Sequence, residues 1–97
     1  MHARAVNTQI KPGKMDDAIR IFRDSVVPAA KQQKGFKSIL FLTDRAGNKA
    51  IAVSVWETDA DLKANEASGY YREQIAKFAD VFSAPPTAQA YVVSVQA

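Results

Sequence analysis

Two neighbouring segments, Phe36 to Thr43 and Lys49 to Glu57, carry apolar side chains on both faces, and this limits the possible folds more than any other feature. Successive side chains of an extended strand point to opposite sides. In the first segment Phe36, Leu40 and Leu42 oppose Ile39 and Phe41; in the second Ile51, Val53 and Val55 oppose Ala52, Ser54 and Trp56. Asp44-Arg45-Ala46-Gly47-Asn48 joins them as a hairpin turn, because Gly47 and Asn48 tolerate the positive φ such turns need. A sheet built from these strands needs a cover on each face. Helices of the same chain can supply one cover, but 97 residues leave little for the other. A domain this small buries only about 60–70% of the surface its unfolded chain exposes. A second copy of the chain is the economical cover, so the sequence predicts a homodimer.

The remaining segments supply the helices and two more strands. Residues 3–10 alternate, with Val6, Thr8 and Ile10 on one face and Ala5, Asn7 and Gln9 on the other, and Lys11-Pro12-Gly13 ends the strand. Met15, Ala18, Ile19, Phe22 and Val26 recur at helical spacing and predict a helix over 14–33. Pro28 removes one hydrogen bond from that helix, which predicts a kink near residues 24–28. Thr58-Asp59-Ala60-Asp61 reads as a capping motif opening a short helix to about Ala67. Ser68-Gly69 restarts a second helix from Tyr70 to about Phe82, with Tyr71, Ile75, Phe78 and Phe82 as its buried stripe. Pro85-Pro86 ends it, and residues 87–95 form a last strand. The order β-α-β-β-α(α)-β is ferredoxin-like: an α+β fold with a four-stranded antiparallel sheet and helices on one face. Residues 1–97 read as one domain without repeat or linker.

Composition excludes several classes of function. No cysteine is present, so there is no disulfide, thiolate metal site or thiol nucleophile, which suits a reducing cytoplasm. The longest apolar run, Ile39-Leu40-Phe41-Leu42, is far short of the ~20 residues that span a bilayer. The N-terminal residues lack the apolar run of a signal peptide. A soluble, cytoplasmic protein with no membrane partner is therefore expected. Residues 1–49 hold ten Lys/Arg against four Asp, and residues 50–97 hold three against six acidic residues. This asymmetry reads as differently solvated faces or as a cationic mouth. Its scattered lysines carry no nucleic-acid recognition motif. Serine triad, paired-carboxylate signature, metal-spaced cluster and phosphate-binding glycine loop are all missing, so no metal and no cofactor is expected.

Lys11-Pro12-Gly13-Lys14, Val27-Pro28-Ala29, Gly35-Phe36, Ser54-Val55-Trp56-Glu57, Ser68-Gly69-Tyr70-Tyr71-Arg72 and Ala84-Pro85-Pro86 occur in an order and spacing that resembles the antibiotic biosynthesis monooxygenase domain family. The resemblance covers nearly the whole chain. It implies a dimeric α+β barrel in which the open sheet faces of two subunits meet, in agreement with the need for a second cover. The family is functionally mixed: some members oxidise anthrone-like aromatics with O₂ and neither metal nor flavin, some degrade haem, and some oxidise quinols. The haem degraders require a helix histidine and a second tryptophan, where this chain has Ala76 and Glu66; its only histidine is His2. Haem degradation by that mechanism is not supported.

The resemblance implies a polar first-strand residue that holds substrate or oxygen, a place that Asn7 fills; the plain alternative is a strand residue facing solvent. Tyr71 could donate a proton or anchor substrate, and Arg72 could stabilise an oxyanion. Either could equally be packing or solvated helix surface. Trp56, Tyr70 and Phe78 are candidates to line a pocket for an aromatic ligand, or simply core. Tyr70 and Tyr71 lie about 100° apart on a helix, so only one is expected to face the pocket. The expected activity is a cofactor-independent monooxygenase acting with O₂ on a small anthrone- or quinol-like aromatic. The alternatives are a non-catalytic homodimer that binds a small hydrophobic or aromatic molecule, and an isomerase or lyase on the same barrel. A buried Asn7 or Tyr71 hydroxyl beside an open pocket would favour the enzyme, a purely apolar lining the binder, and a cavity filled solid by Trp56, Phe78 and Phe82 neither.

Overall fold

The computed structural model describes residues 1–97. Its strands are β1 (His2–Gln9), β2 (Phe36–Asp44), β3 (Lys49–Trp56) and β4 (Thr87–Val92), all antiparallel in the order β2-β3-β1-β4. Helices α1 (Met15–Ile21), α2 (Val27–Lys31), α3 (Asp59–Ala67) and α4 (Tyr70–Ala76) lie on one face of this sheet. This is the ferredoxin-like α+β arrangement that the element order implied.

Pro28 acts earlier in the helix than a simple kink would. Helices α1 and α2 run into one another through a π-helical turn, Phe22–Val26, in which the Val27 N–H donates to the Phe22 carbonyl five residues back. Proline has no N–H to close the next α-helical bond, and the wider turn absorbs the mismatch. Phe22 and Val26 thereby both point inward and are buried with Ile10, Met15, Ala18, Ala50, Phe78 and Val81 in the main core.

Three features differ from the sequence pattern by more than a shift of an element's end by a residue or two. Helix α4 stops at Ala76, and Phe82 lies in a bridge with Ile10 instead of on a helical stripe. The last strand ends at Val92, and all six of its residues are exposed. A bulge between Phe36 and Ser38 reverses the parity at the start of β2. Phe36 therefore pairs with Trp56 on the helix side, ring edge to ring face at 6.1 Å, and does not share the outer face with Leu40 and Leu42.

The other face of the sheet is bare in the single chain. Leu40, Leu42, Ile51 and Tyr91 are exposed there, the first by 57%. No helix is long and apolar enough to cross a membrane.

Candidate functional site

Strand alternation turns Arg4, Val6 and Thr8 of β1 and Ala52, Ser54 and Trp56 of β3 toward the helices, joined by Ile39 and Phe41 of β2. Facing them are Phe22 and Val26 from the π-helical turn and Tyr70, Tyr71, Gln74 and Ile75 from α4, with Phe78 and Phe82 beyond. A crevice runs between the two layers. Its volume is ≈ 50 Å³, room for a few waters, so a ligand of aromatic size enters only as the half-buried side chains at its mouth move apart. Tyr71, Ile75 and Phe82 are half-buried and reach solvent.

Arg4 dominates the electrostatics. Its side chain is 7% exposed, yet it sits in a largely apolar wall. Nη2 donates to Asn65 Oδ1 at 3.2 Å, and Nη1 lies 3.6 Å from Glu66 Oε1, too far for a good hydrogen bond. Nε and Nη1 have no hydrogen-bond partner. The guanidinium carbon stands 4.5 Å from the centre of the Tyr71 ring and 6.0 Å from Trp56, within cation–π range. Burial lowers the Arg4 pKa, while the Glu66 carboxylate and the two tyrosines oppose that shift. Burial raises the Tyr70 and Tyr71 pKa values, with Arg4 opposing in both cases. Both phenols are thus held neutral at physiological pH and can donate a proton; neither is a strong base there.

The second layer fixes these groups. Thr58 caps α3 by accepting the Asp61 N–H at 3.0 Å, and this helix delivers Asn65 and Glu66 to Arg4. Asn65 in turn donates to Gln33 Oε1 at 3.4 Å. Gly69, at φ 87°, starts α4 in a left-handed conformation that places Tyr70 in its first turn. The Trp56 indole N–H donates to Ser54 Oγ at 3.0 Å, and Thr8 donates to the Ala50 carbonyl at 2.8 Å.

The sequence-predicted residues separate into two groups. Trp56, Tyr70, Tyr71 and Phe78 come together in the crevice. Both tyrosines line it, contrary to the expectation that only one would: they straddle the inward direction, so Tyr70 is buried and Tyr71 half-buried. Asn7 is not there. It pairs with Ile51 and Thr87 on the open face and is exposed, because one step along β1 from Val6 or Thr8 reverses the side chain. Arg72 is also outside, exposed on the outer surface of α4, where the 100° step from Tyr71 carries it. Arg4, Thr8, Ser54 and Gln74 are the buried polar lining that sequence reasoning missed. Parity could have found Arg4, which shares its face with Val6, Thr8 and Ile10. No group of three or more His, Asp or Glu side chains is placed to hold a metal ion.

The antibiotic biosynthesis monooxygenase family model matches residues 1–77, a span that includes all of the crevice except Phe78 and Phe82. An uncharacterized protein of Mycobacterium tuberculosis, Rv2558, is 32% identical over 65 residues, 67% of this chain. The match spans only 28% of that relative's length. Among solved structures, NE2512 of Nitrosomonas europaea superposes with a TM-score of 0.79 at 18% identity, covering 99% of this chain and 92% of its own. Rv0793 of M. tuberculosis gives 0.76 at 12% identity, covering 99% and 97%. A monooxygenase of Streptomyces coelicolor, from the gene ActVA-Orf6 and in complex with nanaomycin D, gives 0.70 at 17% identity, covering 93% and 84%. At these identities the superpositions establish the fold.

Proposed function

Since the chain belongs to the antibiotic biosynthesis monooxygenase family, we propose that it is a cofactor-independent monooxygenase acting with O₂ on a small aromatic substrate of anthrone or quinol type. One observation carries this reading: a largely apolar crevice buries a guanidinium beside two neutral phenols. A site that only stored a hydrophobic molecule would have no use for so costly a group.

The chemistry draws its electrons from the substrate. An anthrone loses a proton through the open mouth, and Arg4 stabilises the resulting enolate oxygen. The electron-rich carbon reduces O₂ and takes up both oxygen atoms as a hydroperoxide, with a proton restored from solvent or a phenol. Loss of water then leaves the carbonyl, so one CH₂ and one O₂ become one C=O and one H₂O. Tyr71 is the proton donor to the peroxide, and Trp56, Tyr70 and Phe78 bound the aromatic rings.

The working form is a homodimer in the cytoplasm. The exposed Leu40, Leu42, Ile51 and Tyr91 support pairing of the open sheet face with a second copy, and the absence of cysteine suits a reducing compartment.

The test is O₂ uptake by metal-stripped protein with a panel of anthrones and hydroquinones. Uptake above the spontaneous rate that falls about tenfold or more in Tyr71→Phe is expected. Uptake no faster than the spontaneous rate across the panel refutes the oxygenase and leaves a binding dimer.

A further inference from the structure

We propose that Arg4 and Glu66 form an exchangeable ion pair that makes the crevice selective for flat aromatic ligands carrying an ionised oxygen. In the bound state the ligand's carboxylate, phenolate or enolate oxygen takes the guanidinium donors that Glu66 now attends from a distance. This names the charge class of ligand for the same crevice and rests on its being an aromatic-ligand site.

Three observations support the exchange. First, Arg4 is buried but under-used: Nε and Nη1 lack partners, and Asn65 satisfies only Nη2. Leaving such donors dry is unfavourable unless something else completes them. Second, the present counter-ion is poorly placed. Glu66 is 45% exposed and its oxygen stays 3.6 Å from Nη1, so solvent competes for it and little holds it in place. Third, the guanidinium lines the crevice 4.5 Å from the centre of the Tyr71 ring, so an aromatic ligand held against these side chains brings an oxygen substituent beside the Arg4 donors. A neutral amide or hydroxyl could accept the same bonds only without the charge that makes them strong. Glu66 would then be a like charge beside the ligand, so displacing it is part of binding.

The experiment is calorimetric titration of the full chain with 2-naphthoate and with 2-naphthamide, probes of the same shape and different charge, in wild type and in Glu66→Gln. Wild type is expected to bind the carboxylate at least about tenfold more tightly than the amide. Glu66→Gln, a change at a half-exposed position that leaves the core intact, is expected to tighten the carboxylate about threefold and leave the amide unchanged. Arg4→Gln, checked for folding by circular dichroism, is expected to abolish the preference; if it does not fold, the Glu66 arm still decides. Equal binding of the two probes overturns anion selection while leaving the aromatic site intact. Weaker or unchanged carboxylate binding in Glu66→Gln overturns the exchange, because Glu66 would then be positioning Arg4. Binding of neither probe overturns the exchange and removes the aromatic-ligand site beneath it.

Discussion

Gly35 gives the sharpest test of how the site is held. It lies at the turn into β2 with φ +82°, and its carbonyl accepts the Glu57 N–H at 2.7 Å, tying the turn to the end of β3 beside Trp56. A Cβ at this position would stand 2.6 Å from the Asp61 Cβ, inside any contact that real side chains make. Asp61 cannot turn its Cβ away, so the first turn of α3 would have to shift. The left-handed backbone costs a non-glycine residue about 1–2 kcal/mol. Overpacking adds about 1–3 kcal/mol, so Gly35→Ala should destabilise by roughly 2–5 kcal/mol. Urea unfolding followed by Trp56 fluorescence measures it, as a lower midpoint with unchanged slope. The double variant with Asp61→Gly removes the steric part and leaves the backbone part. A coupling energy of about 1–3 kcal/mol between the two changes is therefore expected. A loss below about 0.5 kcal/mol, or strict additivity, would refute the claim that α3 is pressed against this turn.

Trp56 is wholly buried, so Trp56→Ala should cost about 3–5 kcal/mol by thermal denaturation. Asn7→Ala, on the open face, should leave O₂ uptake and naphthoate affinity within about twofold of wild type, as turnover assays and calorimetry would show; a larger loss would mean the strand face is misassigned. Leu42→Asp should convert a dimer into a monomer by light scattering coupled to size exclusion, because it sets a charge on the open apolar face beside Leu40 and Ile51. For Tyr70 and Tyr71 the folded pKa lies above the unfolded one, so the unfolded chain releases these protons first as pH rises. Their contribution is fully present below the unfolded value of about 10 and lost between that and the higher folded value. Stability measured by urea unfolding should therefore decline from about pH 10 upward, less steeply in Tyr71→Phe.

The sequence made the sheet readable because its strands obey period two and its turns are marked by Gly13, Gly35 and the Asp44–Asn48 segment. Helix limits were harder. Nothing local distinguishes a kink at Pro28 from a π-helical turn, since both answer the same missing N–H, and only packing of Phe22 and Val26 against the sheet selects the second. The parity error at Phe36 has a similar source: the one-residue bulge at Phe36-Lys37-Ser38 leaves no mark in the residue types and reverses the face assignment before it.

The candidate site divides along the same line. Trp56, Tyr70, Tyr71 and Phe78 could be proposed because large aromatics announce burial by type, whereas Arg4 is of a type expected outside. Yet the alternation that placed Val6, Thr8 and Ile10 inward necessarily placed Arg4 inward as well, and Asn7 outward. Residue type argued for Asn7, and register argued for Arg4. In a half-buried strand register is the stronger constraint, because exchanging one residue's face requires a bulge or a slip that would expose the entire apolar row. A charged side chain caught on the inner face by register must then find partners there. Asn65 meets one of its nitrogens and Glu66 approaches another without closing, so the group left incomplete by the fold is also the one best placed to take hold of a ligand.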